Sequence, residues 1–435
     1  MSKTSTLYLK NAIVFTAKGF LKANVEITDG IITSIDGLSS NKLGKNCLDC
    51  TDLYVLPCFV DLHCHIRDPG NQDAEDISSA TQAAALGGYG AILMMPNTNP
   101  TIDSLEVVNY LQLKIQKEAA VDVAISGAIT LGRKGEVLAP LAQLREAGIT
   151  FFTDDGNCLE NSHLLKTAMK TAYAYDLVIA QHLEDSKLKA NGVINEGKYS
   201  LITGLSGIDP VGEVAMLFRD LLLAKRYCAS YHAQHVTLSD SVELIKHFKK
   251  ESSRITCEVT PHHLYFDESV VESFNSVYKV NPPLRAHYDV NALRQALLKG
   301  LIDIVATDHA PHLNSEKEKP FAQAPFGMLG LQTAFSAVLT SLFNMAELET
   351  ILKVIVKTFS VNPAKILRLD NFGVPIEVGT QANLTIVNPL DRKIFEHSKI
   401  VSKAKNSPFV GETLYGSVEH LIYKGRLLVK EGKLQ

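Results

Sequence analysis

The stretch Tyr54–Arg67, YVLPCFVDLHCHIR, decides the fold. An apolar run ends in Asp61-x-His63-x-His65, with Arg67 two residues further on. Side chains on an extended strand alternate faces, so the two imidazoles point the same way and one metal could take both. Cys64, between them, should point away. Four later segments also close an apolar run with histidine or carboxylate: GITFFTDDG with Asp154 and Asp155, LVIAQHLED with His182, YHAQHVT with His235, and DIVATDHAPH with Asp308, His309 and His312. Ligands that all sit where a strand gives way to a loop converge if the strands are parallel and their C-terminal ends open on one mouth, as in a (β/α)8 TIM-like barrel.

The rest of the middle of the chain has the alternation such an α/β fold requires. Strand-like runs at 90–95, 121–130, 149–153, 177–182, 229–236, 255–260 and 302–307 are separated by segments of helical period at 77–86, 105–119, 159–173, 210–225, 238–250 and 290–298.

With 435 residues, of which 46% are hydrophobic, the chain can bury a large core. A net charge of −4 carries no basic surplus and argues against a nucleic-acid partner. No apolar run reaches the ~18 residues of a membrane span. The start, MSKTSTLYLKNAIVF, lacks signal-peptide order, so a cytoplasmic location is expected. The seven cysteines have no CxxC pairing or regular spacing, which favours reduced thiols over a disulfide framework.

The two ends differ from the middle. Residues 7–16 and 24–35 alternate like half-buried strands with a turn at Asp29-Gly30. Residues 382–387 and 418–429 do the same, with turns near Asn388-Pro389 and Lys424-Gly425. We therefore expect residues 1–57 and 366–435 to join in one discontinuous β-sandwich beside a catalytic barrel of residues 58–365.

The segments DLHCHIRDPG, MMPNTNP, FFTDDG, AQHVT, EVTPHHL, NPPLR and ATDHAPH, in that order, resemble the class I dihydroorotases of the cyclic amidohydrolase superfamily. The terminal segments SVNPAKIL and PFVGETLYGSVEHLIYKGRLL extend the likeness over nearly the whole chain. The resemblance implies a zinc enzyme that interconverts N-carbamoyl-L-aspartate and L-dihydroorotate, the third step of de novo pyrimidine synthesis. It also implies a homodimer and possible association with aspartate transcarbamoylase.

Carried onto this sequence, the resemblance makes His63, His65 and Asp308 ligands of one zinc ion, with His182 and His235 holding a second. Many relatives bridge the two ions with a carboxylated lysine on the fourth strand. Here that strand reads GITFFTDDG and has no lysine, so Asp155 takes the bridge, with Asp154 as the alternative. Asp-Asp-Gly is also good turn and N-cap chemistry, which one of the two aspartates should serve. Two adjacent ions could share a hydroxide, polarise the amide carbonyl and stabilise the developing oxyanion. Asp308 would be the general acid and base.

The substrate's extra carboxylate needs a planar, bidentate partner, and Arg67 offers one. Hydantoinase- and allantoinase-like sequences typically lack this arginine. By the same resemblance His65, Asn97, Asn281, His312, Phe326 and Gly327 contact substrate. His262 and His263, adjacent on a strand, would face opposite ways and are read as structural. His163, His247, His287, His397 and His420 lie in polar or helical contexts and are read as surface residues. The charged, proline-containing stretch 313–326, LNSEKEKPFAQAPF, is a candidate lid. Two other readings are another cyclic amidohydrolase, which Arg67 opposes, and a non-catalytic partner of aspartate transcarbamoylase, which the intact ligand set opposes.

Overall fold

The computed structural model describes residues 6–38 and 46–435; the remaining residues of the expected terminal domain lie outside the described ones. Eight strands in the middle of the chain pair in parallel: β1 (Phe59–Cys64), β2 (Tyr89–Met94), β3 (Asp122–Ile125), β4 (Phe151–Thr153), β5 (Val178–Gln181), β6 (Ser230–Ala233), β7 (Ile255–Val259) and β8 (Ile304–Val305). β1, β2 and β3 form one run and β4 to β8 another. Bonds just beyond the strand ends link the two runs. The amide of Gly127 donates to Phe151 O and that of Thr153 to Gly127 O, both at 2.9 Å. On the other side His65 N donates to His309 O at 2.9 Å, and Asp61 accepts from the backbone and hydroxyl of Thr307.

Helices fill the connections. Ile77–Leu86 has the expected bounds, and Leu105–Glu118, Ser162–Tyr175, Val211–Tyr227, Ser239–Lys249 and His287–Leu298 follow the other helical patterns closely. Asp76 starts the first through a capping box with Ser79. Two apolar helices that the pattern reading left out, Ala334–Leu342 and Leu348–Val356, add their buried faces to the large apolar cluster around these strands. The buried rings of Phe59, Tyr89, Phe335 and Phe359 pack together there.

One apolar run serves two sheets. Tyr54–Pro57 pairs with Ile13–Val14 and with Leu384–Val387, whereas Phe59 onward belongs to β1. The strands of both chain ends form one hydrogen-bonded sheet of nine strands, eight along a single path and Cys47–Asp49 pairing beside it with Thr6–Thr16. Their inward side chains, among them Leu9, Val25, Ile386 and Ile422, share one buried cluster. Asp29-Gly30 and Lys424-Gly425 turn with positive φ at both residues, as a tight hairpin requires. Asn388-Pro389 is not a turn: the strand Leu384–Ile394 continues through it, with a register shift between Asn388 and Arg392 where proline cannot donate.

Two other expectations are corrected. His262 and His263 are buried as expected of structural residues, but they lie on a short helix, Pro261–Tyr265, not on a strand. Thr260 caps that helix and Pro261 opens it. His420 is buried, not at the surface, because it faces inward on the strand Thr413–Tyr423, where its Nδ1 accepts from Glu431 N. All seven cysteines are unpaired. Among the described residues no helix is long and apolar enough to cross a membrane.

Candidate metal centre

The C-terminal ends of β1, β4, β5, β6 and β8 bring the charged and imidazole groups to one place. His63 and His65 leave β1 on the same side, as their spacing requires. Asp155 follows β4, His182 follows β5, His235 follows β6, and Asp308 follows β8. Asp155 is the centre of the group. Its Oδ1 is 3.3 Å from His63 Nε2, 3.6 Å from His235 Nε2 and 3.9 Å from His182 Nδ1, and its Oδ2 is 3.4 Å from His65 Nε2. Asp308 Oδ1 lies 3.0 Å from His65 Nε2 and 3.6 Å from His63 Nε2.

Two sets of donor atoms close enough to hold an ion therefore share Asp155: His63, His65 and Asp155, and Asp155, His182 and His235. Asp154 is turned away. It accepts from the backbone amides of Ile129 (2.8 Å) and Thr130 (3.0 Å) and ties β4 to the loop after β3, the turn chemistry that one member of the pair was expected to serve.

The donor set fits a cation. His63 Nε2 is fully buried, has no hydrogen-bond partner and faces two carboxylates. His182 Nδ1 and His235 Nε2 approach to 2.9 Å. Imidazole and carboxylate are suitable zinc ligands. Burial alone would raise Asp155 and Asp308, but His63 and its neighbouring imidazoles outweigh it and hold both acids below the ordinary carboxylate range. His235 (φ 29°) and Asp308 (φ 45°) adopt a left-handed backbone that side chains with a Cβ rarely take. Backbone strain of this kind concentrates at functional sites.

A cavity of about 360 Å³ opens over these groups. It is lined by every expected site residue except His63, which lies beneath it with no exposed surface. Arg67 is positioned by its Nε, which donates to Pro311 O at 3.1 Å, and its terminal nitrogen lies 3.4 Å from His312 Nε2. Among the described residues the acceptor it bonds is thus a carbonyl, and no carboxylate pairs with it. Asn97 Oδ1 lies 2.9 Å from His65 Nδ1, which places a proton on that nitrogen and, in the neutral ring, leaves a lone pair on Nε2 beside the two carboxylates. Asn281 Nδ2 donates to Glu184 (2.6 Å) and lies 3.0 Å from His182 Nε2. Burial and the neighbouring Arg67 push His312 down to about 3, so it is neutral and its Nε2–H donates to Phe326 O at 2.7 Å.

The stretch 313–326 is docked against the cavity. Lys317 is buried and donates to the carbonyls of Pro325 and Gly327, both at 3.0 Å, and Phe321 packs with Ile194 and Val271. Gly327 is required here. Its φ is +131°, and a Cβ would stand 2.7 Å from that of Ala310 and 2.9 Å from His312 Nε2.

Sequence reasoning missed Glu258, which no exposed surface reveals and which touches His63 and His232 at 2.7 and 3.0 Å. It also missed Glu184 and Lys189, paired at 2.8 Å beside Phe326. His309, although in the last motif, turns away from the centre and lies 3.3 Å from Glu75.

A Dihydro-orotase-like family model matches residues 53–241. The dihydroorotase of Caldanaerobacter subterraneus subsp. tengcongensis is 41% identical over 428 residues, 98% of each chain. That of Streptomyces coelicolor is 38% identical over 94% of this chain and 95% of its own. Among solved structures, the L-hydantoinase (dihydropyrimidinase) of Arthrobacter aurescens superposes with a TM-score of 0.87 at 25% identity, over 99% of this chain and 97% of that one. The dihydropyrimidinase of Brevibacillus agri shares the fold, with a TM-score of 0.84 at 20% identity over 99% and 96% of the two chains. At this identity and over this length, the chain belongs to the dihydroorotase family.

Proposed function

We propose that this protein catalyses the reversible hydrolysis of L-dihydroorotate to N-carbamoyl-L-aspartate, using two zinc ions held by His63, His65, Asp155, His182, His235 and Asp308. The observation that carries the reading is Arg67. A guanidinium without a carboxylate partner among the described residues faces the same cavity as the proposed metal-ligating set, which suits a cyclic amide bearing a carboxylate.

When bound, the zinc ions supply Lewis-acid polarisation of the amide carbonyl and lower the pKa of water. Arg67 pairs with the substrate carboxylate, and Asn97, His312 and the Phe326-Gly327 backbone hold the ring against it. Asp308 starts ionised, because the neighbouring imidazoles hold its pKa down. In ring opening it takes the proton of the attacking water. The C–N bond then breaks, and Asp308 returns that proton to the leaving ring nitrogen. In ring closure the same carboxylate accepts the ureido proton.

The scaffold proposed for this chemistry is a closed (β/α)8 barrel over residues 58–365, supported by the bonds that join β3 to β4 and β8 to β1. Residues 1–57 and 366–435 form the accompanying β-sandwich, a reading supported by their shared buried cluster. A cytoplasmic homodimer, able to associate with aspartate transcarbamoylase, is the assembly that the family resemblance supports.

The test is a side-by-side assay of L-dihydroorotate, hydantoin and allantoin with the zinc-loaded protein. Turnover of L-dihydroorotate at least about thirtyfold faster is expected from one lost, partly buried charge pair. A preference for either uncharged ring would overturn the assignment.

A further inference from the structure

Glu258 is a buried carboxylate beneath the site with both oxygens engaged. It lies on β7 with no exposed surface, and β7 contributes none of the expected ligands. One oxygen, Oε1, is 2.7 Å from His63 Nδ1 and accepts from the backbone N–H of His235 at 3.2 Å. The other, Oε2, is 3.0 Å from His232 Nε2, and His232 Nδ1 is in turn 2.8 Å from Thr256 Oγ1. A line of bonds thus runs through the protein interior from Thr256 to the metal-ligating set.

These contacts fix more than position. An ionised carboxylate only accepts, so its short contact with His63 requires the proton on Nδ1, and in the neutral ring, the form that binds a metal, the lone pair is then on Nε2. Nε2 is the atom that faces Asp155 and has no hydrogen-bond partner. The second bond of Oε1 holds the backbone of His235 at a residue whose φ is +29°. His63 belongs to one donor set and His235 to the other, so one side chain braces a ligand in each.

We propose that Glu258, anchored by His232, is the positioning residue of the metal centre: it sets the ligating tautomer of His63 and holds the strained backbone that aims His235. The proposal rests on the reading of His63 and His235 as metal ligands. Glutamine at this position keeps the size of the side chain but loses the charge and one acceptor. Its amide either bonds His63 more weakly or turns its NH2 toward Nδ1, which forces the His63 proton onto Nε2, where the metal belongs.

The test measures zinc affinity of the metal-free protein by chelator competition, and the visible spectrum of the cobalt-loaded form, for wild type and Glu258→Gln. Outer partners of ligating histidines typically govern affinity by about 10–100-fold, and a loss of that order is expected, with an altered cobalt spectrum. The thermal midpoint of the metal-free protein separates this from a general loss of folding, which would lower it without selectively weakening metal. If Glu258→Gln does not fold, His232→Asn carries the test. It leaves Glu258 in place but loosens its anchor, so a smaller loss in the same direction is expected. Unchanged affinity and an unchanged cobalt spectrum in a folded variant would overturn the positioning role. Failure of the wild type to bind zinc or cobalt would instead overturn the ligand reading on which it rests.

Discussion

Replacing Arg67 by alanine removes the group on which, in the proposed function, substrate choice depends. In the structure the guanidinium is held from behind, by Pro311 O at 3.1 Å and by His312, so its terminal nitrogens are presented to the cavity at little further cost in side-chain entropy. Truncating one partner of a buried, hydrogen-bonded charge pair costs about 2–5 kcal/mol. Arg67 is only partly buried, so the lower part of that range applies, about 2–3 kcal/mol. At 1.4 kcal/mol per factor of ten, KM for L-dihydroorotate should rise by roughly 30- to 150-fold. The lost interaction is present in both ground and transition states, so kcat should change little. Arg67→Lys keeps the charge but not the planar fork and should fall between the two. The assay is steady-state ring opening, with dihydrouracil, which lacks the carboxylate, as the control. An unchanged KM, or equal losses for both rings, would refute the reasoning.

Asp308→Asn should reduce kcat by about 10²–10⁴-fold while retaining most of the bound metal, measured by turnover and by metal content per chain. Near-normal turnover would remove the proton-transfer role. Native thiol titration should find Cys47 and Cys228 reacting quickly, because only these are exposed. Burial pushes Cys50 and Cys257 up to about 12, and they should react only on unfolding. Gly425→Ala should destabilise the protein by roughly 1–3 kcal/mol in denaturant unfolding. Its φ is +77°, and a Cβ would meet Gly30 Cα at 2.0 Å, where the two chain ends touch. A neutral effect would count against that contact.

The placement of the candidate ligands was legible because strand period is local: His63-x-His65 can be read as one face without knowing what lies opposite. Asp155 could not be separated from Asp154 by sequence, since both suit a turn. Only the packing of the loop after β3, whose amides claim Asp154, divides the roles. Glu258 was invisible for a related reason. In ITCEV it is the one charged residue in a strand, and its partner His63 is 195 positions away. The helix at Pro261 was within reach, because Thr260-Pro261 is a helix start, but the apolar run before it favoured continuing the strand. Inward facing of His420 depends on register across the terminal sheet, which alternation on its own strand does not fix.

The most direct measurement follows loss of ring absorbance as the purified protein hydrolyses L-dihydroorotate, first after exhaustive chelation and then with zinc restored in steps. The account predicts no turnover without metal and recovery that saturates near two equivalents per chain, as expected if both donor sets sharing Asp155 are filled. Full turnover by the metal-free protein, or none at any zinc level, would contradict it.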